Sequence, residues 1–237
     1  MGVGTIAGVD LAASPRSTGV AVLDGRVVRE VEVGTDDARI ETLCHDAERI
    51  GIDCPFGWPT AFVDFVSAHQ NDRRVPRSDS IEARRPLAYR ATDLWWLDRG
   101  LRPLSVSADR IAHAAFRCAG LLSRLTDDPD RSGAGRVVET YPAGSLSRWA
   151  PVSRGYKGRA NRARLAELAT HVIDTAGLRF RRSTDEELVR TSDHAFDAVV
   201  AALTAASALE PVPDEHSDAA RVEGWIRMPS GPLSEVL

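Results

Sequence analysis

The sequence predicts one α/β domain built on a mixed five-stranded sheet flanked by helices. Three short apolar runs within the first 33 residues, joined in part by the hairpin signal Asp24-Gly25, predict a three-strand antiparallel meander. Two further apolar runs, separated by segments with helical periodicity, predict two more strands. The chain has 237 residues, 43% of them hydrophobic, which is enough for one core of this kind.

The meander is expected over residues 3–10, 19–23 and 27–33, and its first strand ends at Asp10. A helix capped at residue 35 or 36 follows, and a short buried strand then ends at Asp53. The fifth strand ends near Glu139, where Pro142 closes it. The strands after the meander are predicted over 50–53 and 136–140. Further helices are predicted over 59–69, 107–125, 161–176, from 183 onward and over 193–209, with a polar loop over 70–86.

Charge is unevenly distributed along the chain. Residues 1–72 carry a net charge of −7 and residues 191–237 carry −6. Residues 73–117 and 148–190 each carry +5. Basic surfaces favour polyanions such as nucleic acid, although arginines that pair with nearby acids would give the same counts.

The basic segments are interpreted as insertions into a single domain over residues 1–237. We expect an Arg-rich helical insertion at about 56–135 and a second basic insertion at about 144–190. No apolar run reaches the ~18 to 20 residues of a membrane helix, and the N-terminus lacks the basic-then-apolar pattern of a signal peptide. We therefore expect a cytoplasmic protein with no membrane association, and the sequence leaves the oligomeric state open.

Several carboxylates stand where separate elements end or begin. Asp10, Asp53 and Glu139 end strands, which would place them at the sheet edge where α/β sites form, although an acid there can also stabilise a turn. Asp193 and Asp197 are one helical turn apart and share a face. Asp193 is explained by helix capping, but Asp197 lies beside an apolar stripe, where a buried acid needs a metal or an arginine.

Clustered carboxylates prefer hard divalent ions such as Mg²⁺ or Mn²⁺. Two such ions ~3.5 to 4 Å apart can activate water and stabilise the leaving oxygen in phosphodiester hydrolysis. We therefore expect Asp10, Asp53, Asp193 and Asp197 as metal ligands. The expected catalytic residues are Asp10, Asp53, Glu139 and Asp197.

Five short motifs accompany these acids: Gly-Val-Asp-Leu-Ala at 8–12, Ile-Asp-Cys-Pro-Phe-Gly at 52–57, Tyr-Arg-Ala-Thr-Asp at 89–93, Glu-Thr-Tyr-Pro-Ala at 139–143 and Asp-His-Ala-Phe-Asp-Ala at 193–198. Together they resemble the predicted RNase H-like nucleases known as domain of unknown function 429, over about residues 1–228. The helix from Asp193 is also similar to the last catalytic helix of Holliday-junction resolvases. The resemblance implies an RNase H-like fold and a metal-dependent nuclease site.

The resemblance also implies substrate contacts from the basic segments. Arg90, Asp93 and Lys157 would line the site and hold a phosphate, Arg90 through a bidentate contact, although each also fits a surface charge. Tyr141 and Tyr156 complete the expected substrate-binding set, and Tyr156 can stack on a base or simply pack. Lys157 is the one lysine beside 29 arginines, which suggests that an ammonium is needed there.

His194 is three residues before Asp197 and could reach the same site. The favoured function is a metal-dependent nuclease acting on DNA or RNA by a two-metal mechanism. One alternative is a non-catalytic module that binds nucleic acid or protein and keeps the fold. The other is a phosphotransferase of the actin and sugar-kinase type, which is disfavoured because Leu11 and Ala12 occupy the stretch where those folds hold phosphate with glycine and a hydroxyl.

Overall fold

A computed structural model describes residues 4–71, 73–75 and 79–237 of the chain, and it shows a mixed six-stranded sheet flanked by helices. The strands lie in the order β5-β4-β1-β2-β3-β6. Their bounds are β1 Thr5–Asp10, β2 Gly19–Asp24, β3 Val27–Val33, β4 Arg49–Asp53, β5 Val137–Glu139 and β6 Arg179–Phe180.

The strand pairing aligns the ends of β1, β4 and β5. β1 and β2 pair antiparallel, as do β2 and β3, which gives the predicted meander. β4 pairs parallel to β1 with Asp53 opposite Asp10, and β5 pairs parallel to β4 with Glu139 opposite Ile52. Because parallel strands run in one direction, all three acids end at the same edge of the sheet.

Ten helices lie in the described ranges. Four of them, α2 to α5, fall between β4 and β5, and five, α6 to α10, follow β5. The bounds are α1 Asp37–Cys44, α2 Thr60–Gln70, α3 Ile81–Ala88, α4 Ala91–Leu97, α5 Ala112–Leu125, α6 Pro142–Trp149, α7 Arg162–Ala176, α8 Ser183–Thr191, α9 Asp193–Ala206 and α10 Ser217–Glu223.

Helix α9 lies directly on the sheet because three neighbouring strands carry glycine where it crosses them. A Cβ on Gly8, Gly19 or Gly51 would collide with a backbone carbonyl of α9. With only hydrogen in those places, the helix backbone approaches β1, β2 and β4 closely, and the side chains of α9 from Ala195 to Ala205 are buried. This close approach is what can bring Asp197, in the second turn of α9, to the edge where the strands end.

The two faces of the sheet have separate cores. On one face α7, α8 and α9 pack around residues such as Phe196 and Val172. On the other face α1 and α5 pack through Ile40, Cys118 and Leu121, which are all fully buried. Truncating a residue such as Leu121 to alanine would cost about 2 to 5 kcal/mol of folding stability.

The structure corrects the predicted strand count from five to six. The additional strand, β6, consists of two residues that pair with Val27 and Val28 of β3. Two residues are too few to show a strand period, so the sequence carried no signal for it. Pro142 does end the β5 segment as expected, but it also starts α6 at the first helical position, where proline is favoured.

Several predicted boundaries also shift. The expected loop over 70–86 contains the start of α3, where the Ser80 hydroxyl caps the helix by accepting a hydrogen bond from Ala83 N (3.0 Å). Helix α4 was not predicted, the helix expected from 107 begins at Ala112, and the helix expected to end at 209 ends at Ala206. Positions 3, 72 and 76–78 of the predicted elements lie outside the described residues. Within the described ranges, no helix is both long and apolar enough to cross a membrane.

Candidate metal centre

Three aspartates from three elements meet at the sheet edge. One carboxylate oxygen from each of Asp10, Asp53 and Asp197 lies within 4.8 Å of the other two. The parallel register of β1 and β4 sets Asp10 beside Asp53, and the close contact of α9 with both strands adds Asp197. We call these three residues the aspartate cluster, and they are three of the acids that the sequence singles out.

The aspartate cluster is electrostatically strained in the absence of a cation. Burial raises the pKa of Asp197 to about 6, Asp10 adds to this, and Lys157 opposes it. Burial also raises the pKa of Asp53 well above its usual range, and the neighbouring charges of Asp10 and Asp197 act in the same direction. Both shifts mean that the ionised carboxylates are disfavoured there unless positive charge is supplied.

A loop over residues 155–158 is fastened to α9 beside the aspartate cluster. The Tyr156 hydroxyl donates a hydrogen bond to Asp197 Oδ1 (2.7 Å), and the Gly158 backbone N–H donates to Asp193 Oδ2 (3.0 Å). The Tyr156 ring is buried and packs edge-on against Phe196, with ring centroids 5.6 Å apart. Asp193 therefore anchors this loop, and it lies outside the group of three converging oxygens.

Lys157 brings the nearest positive charge to the cluster. Its Nζ lies 2.6 Å from Asp197 Oδ2. The ammonium and the buried carboxylate form an ion pair, and Oδ2 accepts no hydrogen bond from any other described residue. Burial disfavours the Lys157 ammonium, but Asp197 and Asp53 outweigh that effect, and the pKa of Lys157 is raised.

His194 contacts the other side of the aspartate cluster. Its Nδ1 lies 2.7 Å from Asp10 Oδ2. This hydrogen bond raises the pKa of His194, while partial burial opposes the shift. The position of His194 one turn before Asp197 is the sequence signal that marks it.

Glu139, Arg90 and Asp93 form a second group, which we call the Arg90 network. Arg90 donates to both oxygens of Glu139 (Nη2 to Oε1, 2.7 Å; Nη1 to Oε2, 2.9 Å). It also donates to both oxygens of Asp93 (Nη2 to Oδ1, 2.9 Å; Nε to Oδ2, 3.1 Å). All three side chains are buried. The guanidinium expected to hold a phosphate is therefore already engaged with two carboxylates.

The Arg90 network also ties distant parts of the chain together. Arg90 Nη1 donates to the Glu223 backbone carbonyl (3.1 Å), and the Phe56 backbone N–H donates to Glu139 Oε2 (3.0 Å). The Glu223 carboxylate accepts from the backbone N–H groups of Thr60 and Ala91 (2.8 and 2.9 Å). Glu223 was missed by sequence reasoning, because it lies in the polar C-terminal tail and no motif marks it.

A cavity of about 280 Å³ opens beside both groups. Its described lining includes Asp10, Asp53, Lys157, Arg90 and Glu139. The rest of its wall is largely apolar and includes Pro103, Leu104, Ile111, Ala114, Tyr141 and Ile226. Tyr141, expected to bind substrate, thus lies in this wall. Its hydroxyl donates to the Arg102 carbonyl (3.3 Å).

A larger cavity of about 530 Å³ lies between α2 and α3. Phe62, Phe65 and Tyr89 contribute to its wall, and its described lining contains no carboxylate. Since it offers no group that could hold a metal, the smaller cavity at the aspartate cluster is the better candidate site.

The sequence matches the family described as "Protein of unknown function (DUF429)" over residues 8–217, and the chain belongs to this family. No curated protein and no solved structure matches the chain.

Proposed function

We propose that this DUF429 protein is a metal-dependent nuclease that hydrolyses phosphodiester bonds on an RNase H-like scaffold. The observation that carries the proposal is the convergence of Asp10, Asp53 and Asp197 within 4.8 Å at one sheet edge. The meander of β1 to β3, followed by β4 and β5 on the other side of β1, supports the scaffold. β6 then extends the far edge of that arrangement.

The residues present fit a hard divalent cation. All three groups are carboxylates, which are the ligands that Mg²⁺ and Mn²⁺ prefer. The buried Asp197 Oδ2 already contacts a positive charge, the Lys157 ammonium at 2.6 Å, which shows that a cation can be accommodated at this oxygen. The raised pKa values of Asp53 and Asp197 report a shortage of positive charge.

Asp10, Asp53 and Asp197 would hold the metal, whereas Asp193 accepts a hydrogen bond from the Gly158 N–H through Oδ2. Divalent ions bound there would polarise the phosphate and lower the pKa of a water molecule. His194 orients Asp10 through its 2.7 Å contact and can hold a proton at its other ring nitrogen. We assign Arg90, Asp93 and Glu139 a supporting role, because the Arg90 guanidinium already donates hydrogen bonds to both carboxylates.

Nucleic acid is the substrate class that the surroundings of the cavity favour. Arg102 and Arg110 are exposed and border Pro103, Leu104 and Ile111 in its wall. Exposed arginines attract a phosphate backbone, and an apolar wall suits a base. A cavity of about 280 Å³ is at the lower limit for a small-molecule site, so it would take a unit of about one nucleotide.

Cleavage of labelled single-stranded and duplex DNA and RNA, with Mn²⁺ or Mg²⁺ and with EDTA, tests the proposal. We expect metal-dependent cleavage by the wild type and a loss of about 100-fold or more in Asp10→Asn, since the metal-binding groups act as a unit. Asp174→Asn, an exposed carboxylate on α7, is the matched control and should remain active.

Two results would favour the alternatives. Nucleic-acid binding without product, unaffected by metal and by Asp10→Asn, would indicate a non-catalytic module. Transfer of the γ-phosphate of ATP to a small acceptor would indicate a phosphotransferase.

A further inference from the structure

We propose that Lys157 is a tethered counter-ion that neutralises Asp197 until a divalent ion displaces it, and that the released ammonium then binds a phosphate oxygen of the substrate. This inference rests on the proposed function, because it concerns the same cluster. It adds that Lys157 and the divalent ion compete for the carboxylate of Asp197.

The position of Lys157 makes the competition direct. The described lining of the 280 Å³ cavity includes Asp10, Asp53 and Lys157, whereas Asp197 is only 1% exposed. Lys157 Nζ contacts the Asp197 oxygen, Oδ2, that accepts no hydrogen bond from any other described residue. An ion entering from the cavity therefore meets Asp10, Asp53 and an ammonium. It can gain Asp197 Oδ2 as a ligand only when that ammonium leaves, because the two like charges repel at contact distance.

The loop is built so that the side chain can move while its backbone stays. Tyr156 and Gly158 are both bonded to α9, one on each side of Lys157. Gly155 and Gly158 have φ values of 74° and 85°, a backbone conformation that glycine adopts without strain. The Lys157 side chain is 56% exposed, so it can rotate into the cavity without disturbing a packed neighbour.

The choice of lysine also fits an exchangeable role. Arg90 shows what a guanidinium does at this sheet edge: it holds two carboxylates in bidentate contacts and is itself buried. A lysine ammonium is a compact charge on a flexible stem and makes no such planar lock. In a chain with 29 arginines, the single lysine lies where a reversible contact would be useful.

Mn²⁺ affinity, measured by calorimetry on the full chain, tests the competition. We expect Lys157→Met to bind Mn²⁺ about fivefold or more tightly than the wild type, within the usual range of coupling between two ligands. Arg159→Met removes a positive charge two residues away and should leave the affinity unchanged. Circular dichroism confirms that each variant is folded.

The outcomes separate this inference from the proposed function. If wild type binds Mn²⁺ and Lys157→Met binds it equally or more weakly, the competition is refuted and the metal site stands. If Arg159→Met gains as much Mn²⁺ affinity as Lys157→Met, the loss of any nearby positive charge explains the gain, and the competition at Asp197 is refuted. If neither wild type nor Lys157→Met binds Mn²⁺, the metal site and the competition both fail.

A second experiment uses the unmodified wild type. Because Lys157 is the only lysine, acetylation of its amine can be followed at one peptide by mass spectrometry. We expect saturating Mg²⁺ to raise the acetylation rate severalfold, since the amine leaves Asp197. Asp197→Asn should acetylate quickly without Mg²⁺ and respond little to its addition. An unchanged wild-type rate at a Mg²⁺ concentration that calorimetry shows to be saturating would overturn the inference.

Discussion

The aspartate cluster and the Arg90 network lie at the same sheet edge and each contributes two residues to the lining of one cavity, yet their carboxylates are paired in different ways. In the Arg90 network, one buried guanidinium donates to all four carboxylate oxygens of Asp93 and Glu139. In the aspartate cluster, three carboxylates share a half-exposed lysine and a partly exposed histidine.

This difference separates a group that holds the fold from a group suited to bind a ligand. A buried ion network with every donor and acceptor paired is costly to break, because removing one partner leaves a buried charge. A cluster of carboxylates with too little positive charge is instead stabilised by adding a cation. Four predictions test the distinction, beginning with the largest expected effect.

Removing the central cation should damage the Arg90 network most. Arg90→Met leaves Asp93 and Glu139 buried without a positive counter-charge, and we expect a loss of about 3 to 5 kcal/mol in the free energy of unfolding. Urea denaturation measures it. Arg85→Met, which removes an exposed arginine that pairs with Asp98, should change stability by less than about 0.5 kcal/mol. A loss below about 1 kcal/mol in Arg90→Met would show that the network does not hold the fold.

Mn²⁺ affinity should depend on the aspartate cluster and not on the Arg90 network. Asp10→Asn removes a charged ligand from the cluster, and we expect Mn²⁺ affinity to fall by at least about tenfold, or ~1.4 kcal/mol. Glu139→Gln keeps the shape of a side chain engaged with Arg90 and Phe56, and should bind Mn²⁺ nearly as the wild type does if it folds. Calorimetry on both variants decides the question. Equal losses would place Glu139 among the metal ligands, beyond the catalytic role that the sequence alone predicted for it.

The pH dependence of stability should reveal the shortage of positive charge in the cluster. The pKa of Asp197 is raised to about 6, so the metal-free folded state favours its protonated form. Stability from this group is therefore present at low pH and is lost as pH rises through about 6. The raised pKa values of Asp53 and His194 act in the same direction.

Melting temperatures measured in a metal chelator between pH 4 and 7 test the direction in which stability changes with pH. The stability contribution of Asp197 should be lost with rising pH across that range, so the melting temperature of the wild type should fall relative to that of Asp197→Asn. Added Mn²⁺ should oppose the fall, because the metal binds the ionised carboxylates. If the melting temperature of the wild type in chelator changes with pH as that of Asp197→Asn does, the pKa of Asp197 is not raised in the folded state.

Sequence reasoning found the aspartate cluster because its signals are local. Asp10 and Asp53 each end an apolar run, and Asp197 is an acid beside an apolar helical stripe. Glu139 gives the same local signal at the end of β5. Its environment is decided by Arg90, which lies 49 residues away in sequence, and no local pattern indicates that pairing.

The same limit applies to the fold. The meander, β4, β5 and the long helices were predicted because hydrophobic periodicity persists over several residues. Helices α3 and α4 are short and depend on tertiary contacts, such as the hydrogen bond from Trp96 Nε1 to the Ile226 carbonyl (3.0 Å). β6 exists only because its two residues meet β3.

The smallest expected effect concerns the exposed arginines beside the cavity. Arg90 is excluded from this test because its nitrogens are engaged with carboxylates, whereas Arg102 and Arg110 are exposed next to the cavity wall. Replacing both with alanine should weaken binding of single-stranded DNA in EDTA, and should lower the slope of log Kd against log salt by about 1 to 2.

Arg29→Ala, on β3 two strands from Asp10, is the control and should leave the slope unchanged. Fluorescence anisotropy measures the Kd for single-stranded DNA at salt concentrations from about 50 to 200 mM. Phosphate contacts change the affinity strongly over roughly this range. If the double variant keeps the wild-type slope, these arginines only solvate the surface, and the phosphate backbone must approach the aspartate cluster from another side.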